Sequence, residues 1–270
     1  MRWLLVLTSV LASSAASAGP SQSNPAFLGI GFGPGPGGCI IENVSRGGAA
    51  WDAGLQVGDL VAAIDGNALN DKAPCDLLVT AITAHVPGDR VRIDVARGAV
   101  HLALTATLTT RADVLQKRVG QRMDPTEVTD ADDTSRHYEL GDRTHRTAVY
   151  GFFMSQCAGC ARVFERVADG LKKRGNPAFV LGVTPTPLRD DVAAVRKSFT
   201  PAVPLALADA DTFEALAMND ADRVFFMVTD CKGIVKVVAP VAPDSDDIEA
   251  AIDEVLAAAE QAEHARTQRR

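Results

Sequence analysis

Apolar and polar positions follow two different rhythms along the 270 residues. From 27 to 108 the apolar runs are short and separated by glycine-bearing turns. Phe27, Leu28, Ile30 and Phe32 form one run, and Cys39, Ile40, Ile41 and Val44 the next. A single helical stretch, from Asp76 to about 86, interrupts them. Val91, Ile93 and Val95, then Leu102, Leu104, Ala106 and Leu108, recur with period two, as half-buried strands do. From 149 the rhythm becomes strand, helix, strand. An apolar run at 149–153 precedes Val163, Val167 and Leu171, spaced for one helix face. Strands at 179–183 and 205–207 and helices at 190–199 and 211–218 follow. A hairpin pairs 224–228 with 234–238 around a turn at 230–233. Ser245 is placed to cap a last helix carrying Ile248, Ile252, Val255 and Ala259 on one face. The pattern predicts a small β-rich α+β domain followed by an α/β domain. Between them, 111–146 is polar, with Asp124, Glu127, Asp130, Asp132 and Asp133 clustered; it reads as linker over 111–118 and as lead-in to the second domain after that.

Both ends have their own character. Arg2, an apolar run over 3–11 and Ala16-Ser17-Ala18 before Gly19 make a signal-peptide pattern over 1–18, with an A-x-A cleavage site. A Ser/Asn/Pro spacer fills 19–25. Nothing later is long and apolar enough to span a bilayer, so no membrane anchor is expected once the leader is removed. Export places the thiols in an oxidising compartment, periplasmic or extracellular. At the far end, 263–270 reads as a frayed basic tail.

Charge and length narrow the function. A net charge of −7 and an aromatic share of 5% give no support for nucleic-acid binding. The chain is long enough for two modest cores. Glycines at 33–38 invite a phosphate-loop reading, but no Lys-Ser/Thr follows and a strand pattern does, so that reading fails.

The candidate chemistry lies in Cys157-Ala158-Gly159-Cys160. An apolar, aromatic-rich strand ends there and a helical pattern begins at once, so the dithiol is expected in the first turn of a helix. Backbone N–H groups and the helix dipole would there stabilise the Cys157 thiolate. Cys160, three residues on, would close a small ring with it, Cys157 attacking and Cys160 resolving. Structural zinc needs four ligands, and no second C-x-x-C or H-x-x-H pair exists. His137 and His145 read as solvated loop residues. A purely structural staple this short would close little chain entropy. Redox chemistry needing no cofactor is the stronger reading.

Two resemblances extend this. The "FLGIG" run at 27–31, Ala53-Gly54-Leu55 with Gly58-Asp59, and Pro87-Gly88-Asp89 occur in the order seen in the PDZ domains of bacterial periplasmic proteases, which the segment 26–110 resembles. That likeness implies that backbone N–H groups of Leu28, Gly29 and Ile30 hold a peptide's C-terminal carboxylate, the peptide adding as a strand beside the second helix. Leu78 and Ile82 are then either its side-chain pocket or plain core. No serine-protease motif accompanies the module. The likeness also brings Cys39 near Cys75; a structural disulfide and two unconnected cysteines both fit. Residues 119–262, with "RVGQ" at 118–121 as lead-in and "TDCKG" at 229–233, resemble the thioredoxin-like branch shared by periplasmic reductases and peroxiredoxins. Cys157 and Cys160 fall where that family keeps its redox pair. Gln156 replaces the usual aromatic, and Val224, after Arg223, stands where the family has a cis-proline facing the dithiol. Met154 does not match the threonine or serine that a peroxidase needs three residues before its cysteine. In such a fold Cys231 lies on the order of 20 Å from Cys157, six residues along a strand. The function implied is an exported thiol–disulfide oxidoreductase acting on protein disulfides and recruited to protein tails or extended peptides by its PDZ domain. The rival is a non-catalytic adaptor with a vestigial second domain.

Overall fold

The computed structural model describes residues 25–268, apart from 71, 142–145, 158, 186–203, 210, 211, 214, 215, 217, 219 and 221. The signal-peptide pattern, the helix expected at 190–199 and His145 lie outside the described residues. So does half of the short helix expected at 211–218.

The first domain is a six-stranded sheet with a separate two-stranded pair and two short helices. Its strands are β1 (Ala26–Phe27), β2 (Ile30–Gly35), β3 (Gly38–Val44), β4 (Leu60–Ile64), β5 (Asn67–Ala68), β6 (Arg90–Arg97), β7 (Val100–Thr107) and β8 (Thr109–Thr110); its helices are α1 (Ala49–Asp52) and α2 (Pro74–Thr83). The sheet order is β2-β3-β4-β6-β7, with β5 on β4 and β1 paired to β8 beside it. The period-two residues dictate the core: Ile41, Val61, Val91, Ile93 and Val95 point inward with Leu78 of α2 above them. A disulfide joins Cys39 of β3 to Cys75 of α2, with Cα atoms 5.5 Å apart. Asp59 is fully buried in the turn before β4. Arg97 donates to it through Nε at 2.7 Å and Nη2 at 2.8 Å, and the Gln56 amide donates at 2.9 Å. A carboxylate can be buried there because its charge is paired and its lone pairs are used.

The second domain has the strand order of a thioredoxin-like fold, extended by a hairpin. Seven strands lie in the order β10-β9-β13-β12-β11-β14-β15. They are β9 (Thr126–Asp130), β10 (His137–Leu140), β11 (Ala148–Phe152), β12 (Phe179–Pro185), β13 (Leu205–Ala208), β14 (Val224–Thr229) and β15 (Val235–Val241). Strand β11 is parallel to β12 and antiparallel to β14. Helices α4 (Cys160–Lys173) and α5 (Ile248–Thr267) share one apolar cluster with one sheet face. Helix α3 (Arg111–Gln116) contributes to the cluster on the other. Strand β11 is buried on both sides, which is why its sequence is a continuous apolar run. Gly151 in it has no alternative: a Cβ would stand 2.5 Å from the Phe164 ring of α4.

Three expectations need correction. Residues 111–116 are not linker. Thr110 and Asp113 form a reciprocal cap, and α3 buries Val114 and Leu115 in the second domain's core. The polar stretch after it holds a β-hairpin, β9–β10. Asp130, 6% exposed at the end of β9, accepts from Tyr138 Oη at 2.5 Å and from the amides of Asp132 and Asp133. The C-terminal tail is not frayed up to Thr267, where α5 ends, and Thr147 Oγ1 donates to Glu263 at 3.1 Å. Asp247, not Ser245, occupies the N-cap position of that helix, without a side-chain capping bond; Ser245 Oγ accepts from the Asp247 amide at 3.2 Å.

Candidate redox site and peptide loop

Strand β11 leads into the dithiol at the edge of the cluster shared with α4. The chain turns after Phe153, the Cys157 amide donating to the Met154 carbonyl at 3.0 Å. Cys157 and Cys160 are joined, with Cα atoms 5.5 Å apart. The helix begins at Cys160, with Gly159 as its N-cap at φ +88°. Cys157 therefore precedes the helix rather than opening it. The left-handed residue between the cysteines breaks the helical run, and spacing alone does not reveal that. Gly159 is required twice over. Its φ suits glycine, and a Cβ would meet Pro243 at 3.0 Å and Arg162 Nη2 at 3.3 Å.

The two sulfurs differ in access. Cys157 is 9% exposed and Cys160 is 0% exposed. Both belong to the apolar cluster that also holds Phe153, Val163, Val224 and Val241. Among the described residues the buried carboxylates are Asp59 and Asp130, and both lie elsewhere, while the Arg162 guanidinium lies beside Gly159. Val224, fully buried, heads β14 in this same cluster. Cys231 is a half-buried free thiol in the turn after β14. The register pairs Phe152 with Phe225 at the dithiol end and Ala148 with Thr229 at the other, so Cys231 sits at the opposite end of the sheet.

In the first domain the expected carboxylate loop has a defined shape. Gly29 has φ +82°, and its carbonyl accepts from the Ser45 amide at 2.9 Å. The Leu28 carbonyl accepts from the Ala50 amide at 2.8 Å. These bonds seat the loop on residues 45–50. A Cβ at Gly29 would meet the Phe27 ring at 3.3 Å and Gly48 Cα at 3.5 Å. Strand β2 is an edge of its sheet, and Ile30 and Phe32 on it are half-buried. Leu78 and Ile82, considered for the pocket, are core residues at 1% and 9% exposure. The apolar side chains that α2 exposes are Leu77 and Val79.

Residues 26–108 match the PDZ domain family. That segment is a PDZ domain. Among solved structures, an HtrA-type protease AlgW with decapeptide aligns at 23% identity over 32% of this chain and 30% of that one, TM-score 0.29. The PDZ domain thus spans less than a third of that protease. A candidate protein disulfide isomerase from Bacteroides thetaiotaomicron aligns at 20% identity over 54% of this chain and 92% of that one, TM-score 0.43. The thioredoxin domain of a thiol-disulfide oxidoreductase from Bacteroides vulgatus aligns at 12% identity over 51% and 97%, TM-score 0.40. No curated protein matches the sequence. The chain joins a PDZ domain to a thioredoxin-like domain, and no helix among the described residues is long and apolar enough to cross a membrane.

Proposed function

We propose that the protein is an exported thiol–disulfide oxidoreductase whose PDZ domain brings it to its protein substrates. The observation that carries this reading is the asymmetric dithiol at the end of β11, Cys157 retaining 9% exposure and Cys160 none. In the reduced form, the Cys157 thiolate attacks one sulfur of a substrate disulfide. The other substrate sulfur leaves as a thiolate and takes up a proton. Cys160, deprotonated in turn, attacks the Cys157 sulfur and expels the second substrate thiol. Two electrons pass to the substrate, and the Cys157–Cys160 disulfide forms. Run backwards, the same steps oxidise a substrate dithiol. The turn at Gly159 and the apolar cluster that includes both cysteines hold the pair ready for the intramolecular step. Leu28, Gly29 and Ile30 would take the C-terminal carboxylate of the recruited partner, with the edge of β2 receiving its backbone.

Reduction of insulin disulfides tests the chemistry. The protein, supplied with a dithiol reductant, should outpace that reductant alone, and Cys157→Ser should return the rate to background. An unchanged rate in the variant removes the enzymatic reading. Val224, in place of a proline beside the dithiol, favours the non-catalytic adaptor instead; peptide binding without any Cys157-dependent reduction would establish that alternative. Export rests on the leader over 1–18. Intact-mass measurement of protein from the producing cells should give a chain beginning at Gly19, and a retained Met1 would count against export.

A further inference from the structure

Thr184 is a polar side chain sealed in an apolar face. It is 0% exposed, near the end of β12, and its Oγ1 finds no hydrogen-bond partner among the described residues. A hydroxyl buried without a bond costs free energy that valine, of the same shape, would not. The register fixes the direction in which it points. Leu181 and Val183 belong to the cluster on the α3 face. Gly182 faces the other way: a Cβ there would meet Leu205, Phe164 and Phe153 at 3.1, 3.3 and 3.4 Å, all of them in the cluster shared with α4. Thr184, two residues on, faces that same side. Strand β13 agrees. Gly182 pairs with Leu205 and Thr184 with Leu207, while Ala206 between them belongs to the opposite cluster.

That end of the face holds the dithiol. Strands β11 and β12 are parallel, with Phe152 level with Val183, so α4 between them runs back antiparallel to both. The Phe164 ring of α4 stands over Gly151 and Gly182. Cys160, four residues earlier on the same side of the helix, lies ~6 Å nearer the dithiol end. Thr184 lies ~6.6 Å beyond Gly182 in the same direction. Both residues are 0% exposed. The chemistry of the cluster narrows what the hydroxyl can meet. Among the described residues buried in it, only Cys157 and Cys160 carry a side-chain atom that can accept a hydrogen bond.

We propose that the Thr184 hydroxyl is placed to bond the Cys160 sulfur of the reduced protein, and so sets the balance between dithiol and disulfide. The inference rests on the redox reading of Cys157 and Cys160. Reduction breaks their sulfur–sulfur bond and delivers two electrons and two protons, supplied by two thiols such as glutathione that leave joined as a disulfide. A disulfide sulfur accepts hydrogen bonds weakly. The freed Cys160 sulfur accepts better, above all as the thiolate that resolves a mixed disulfide, and Thr184 donates to it. Because the bond exists only after reduction, it favours the dithiol and raises the reduction potential.

The couple is measured in the full chain by equilibration with mixtures of reduced and oxidised glutathione. Alkylation and peptide mapping then read Cys157–Cys160 apart from Cys39–Cys75. Thr184→Val should make the Cys157–Cys160 disulfide about tenfold harder to reduce, a potential about 30 mV more negative. Thr184→Ser keeps the hydroxyl and should return the potential to the wild-type value. Thermal melts separate the bond from packing. The disulfide form of the valine variant should melt no lower than wild type, since it loses only an unbonded hydroxyl, whereas its reduced form should melt lower than reduced wild type. An unchanged potential in Thr184→Val overturns the proposal, as does a shift of opposite sign. So does a serine variant that behaves like the valine one, which would make the effect one of shape. Insulin reduction plays no part in these readings. A potential that moves as expected in a protein without reductase activity upholds the role of Thr184 and removes only the enzymatic function.

Discussion

At residue scale, Cys157 and Asp59 each show how a few ångströms of surroundings fix a role. Cys157 keeps 9% of its surface and Cys160 none, so alkylation of the reduced protein near neutral pH should label Cys157 well before Cys160. Peptide mapping after a short iodoacetamide pulse reads this, and equal labelling would remove the assignment of attacking and resolving thiols. The spacing of the cysteines already marked them as a candidate pair, and the structure joins them. Spacing did not show that Gly159 caps the helix, because a left-handed glycine leaves no trace in a hydrophobic pattern. Asp59 carries the second prediction. Burial pushes its carboxyl up, but the hydrogen bonds from Arg97 and the Gln56 amide outweigh this and hold it below the ordinary carboxylate value. A depressed folded value means that the stabilisation is complete above the unfolded carboxylate range. It is lost as pH falls through the folded value. Asp59→Asn should therefore cost about 2–4 kcal/mol at neutral pH, by leaving Arg97 facing a neutral partner in a buried turn. The deficit should shrink towards strong acid, as followed by urea unfolding at several pH values. A deficit independent of pH would mean that the ion pair contributes nothing beyond shape.

At the scale of elements, period and length decided what was legible. Strands β11 and β14 are continuous apolar runs and were readable as buried; α4 and α5 carry the expected stripes. The six residues of α3 are too few for a helical period to emerge from Arg111-Ala112-Asp113-Val114-Leu115-Gln116, and their charge suggests a linker. The hairpin β9–β10 was hidden for another reason. Its inward positions include Asp130, a carboxylate that a strand pattern treats as outward, yet the Tyr138 hydroxyl and two amides satisfy it. Since Leu115 is 1% exposed and belongs to the second domain's core, Leu115→Ala should cost about 2–4 kcal/mol. A true linker would lose at most about 0.5 kcal/mol. Denaturant midpoints with an unchanged slope would measure the difference.

At the scale of the molecule, Lys117, at the end of α3, ties the second domain to the PDZ loop at 47–52. Lys117 donates to the Gly47 carbonyl at 2.9 Å and pairs with Asp52. Residues 45–50 in turn hold the carbonyls of Leu28 and Gly29. The second domain thus holds the back of the 28–30 loop, and the proposed recruitment would rest on that loop keeping its shape. If Leu28, Gly29 and Ile30 take a carboxylate, the protein must prefer free C-termini, because charge-assisted hydrogen bonds are about twice as strong as neutral ones. Amidating a bound peptide's C-terminus should cost about 1.5–3 kcal/mol, one to two orders of magnitude in affinity. Gly29→Val should do comparable harm, since φ +82° strains a β-branched residue and its Cβ would crowd Phe27 and Gly48. Titration of the full chain with a C-terminal peptide library, free acid against amide, reads both effects. Equal affinity for acid and amide would mean that β2 takes internal segments by strand addition alone, and the recruitment half of the proposed function would then apply to extended loops rather than chain ends.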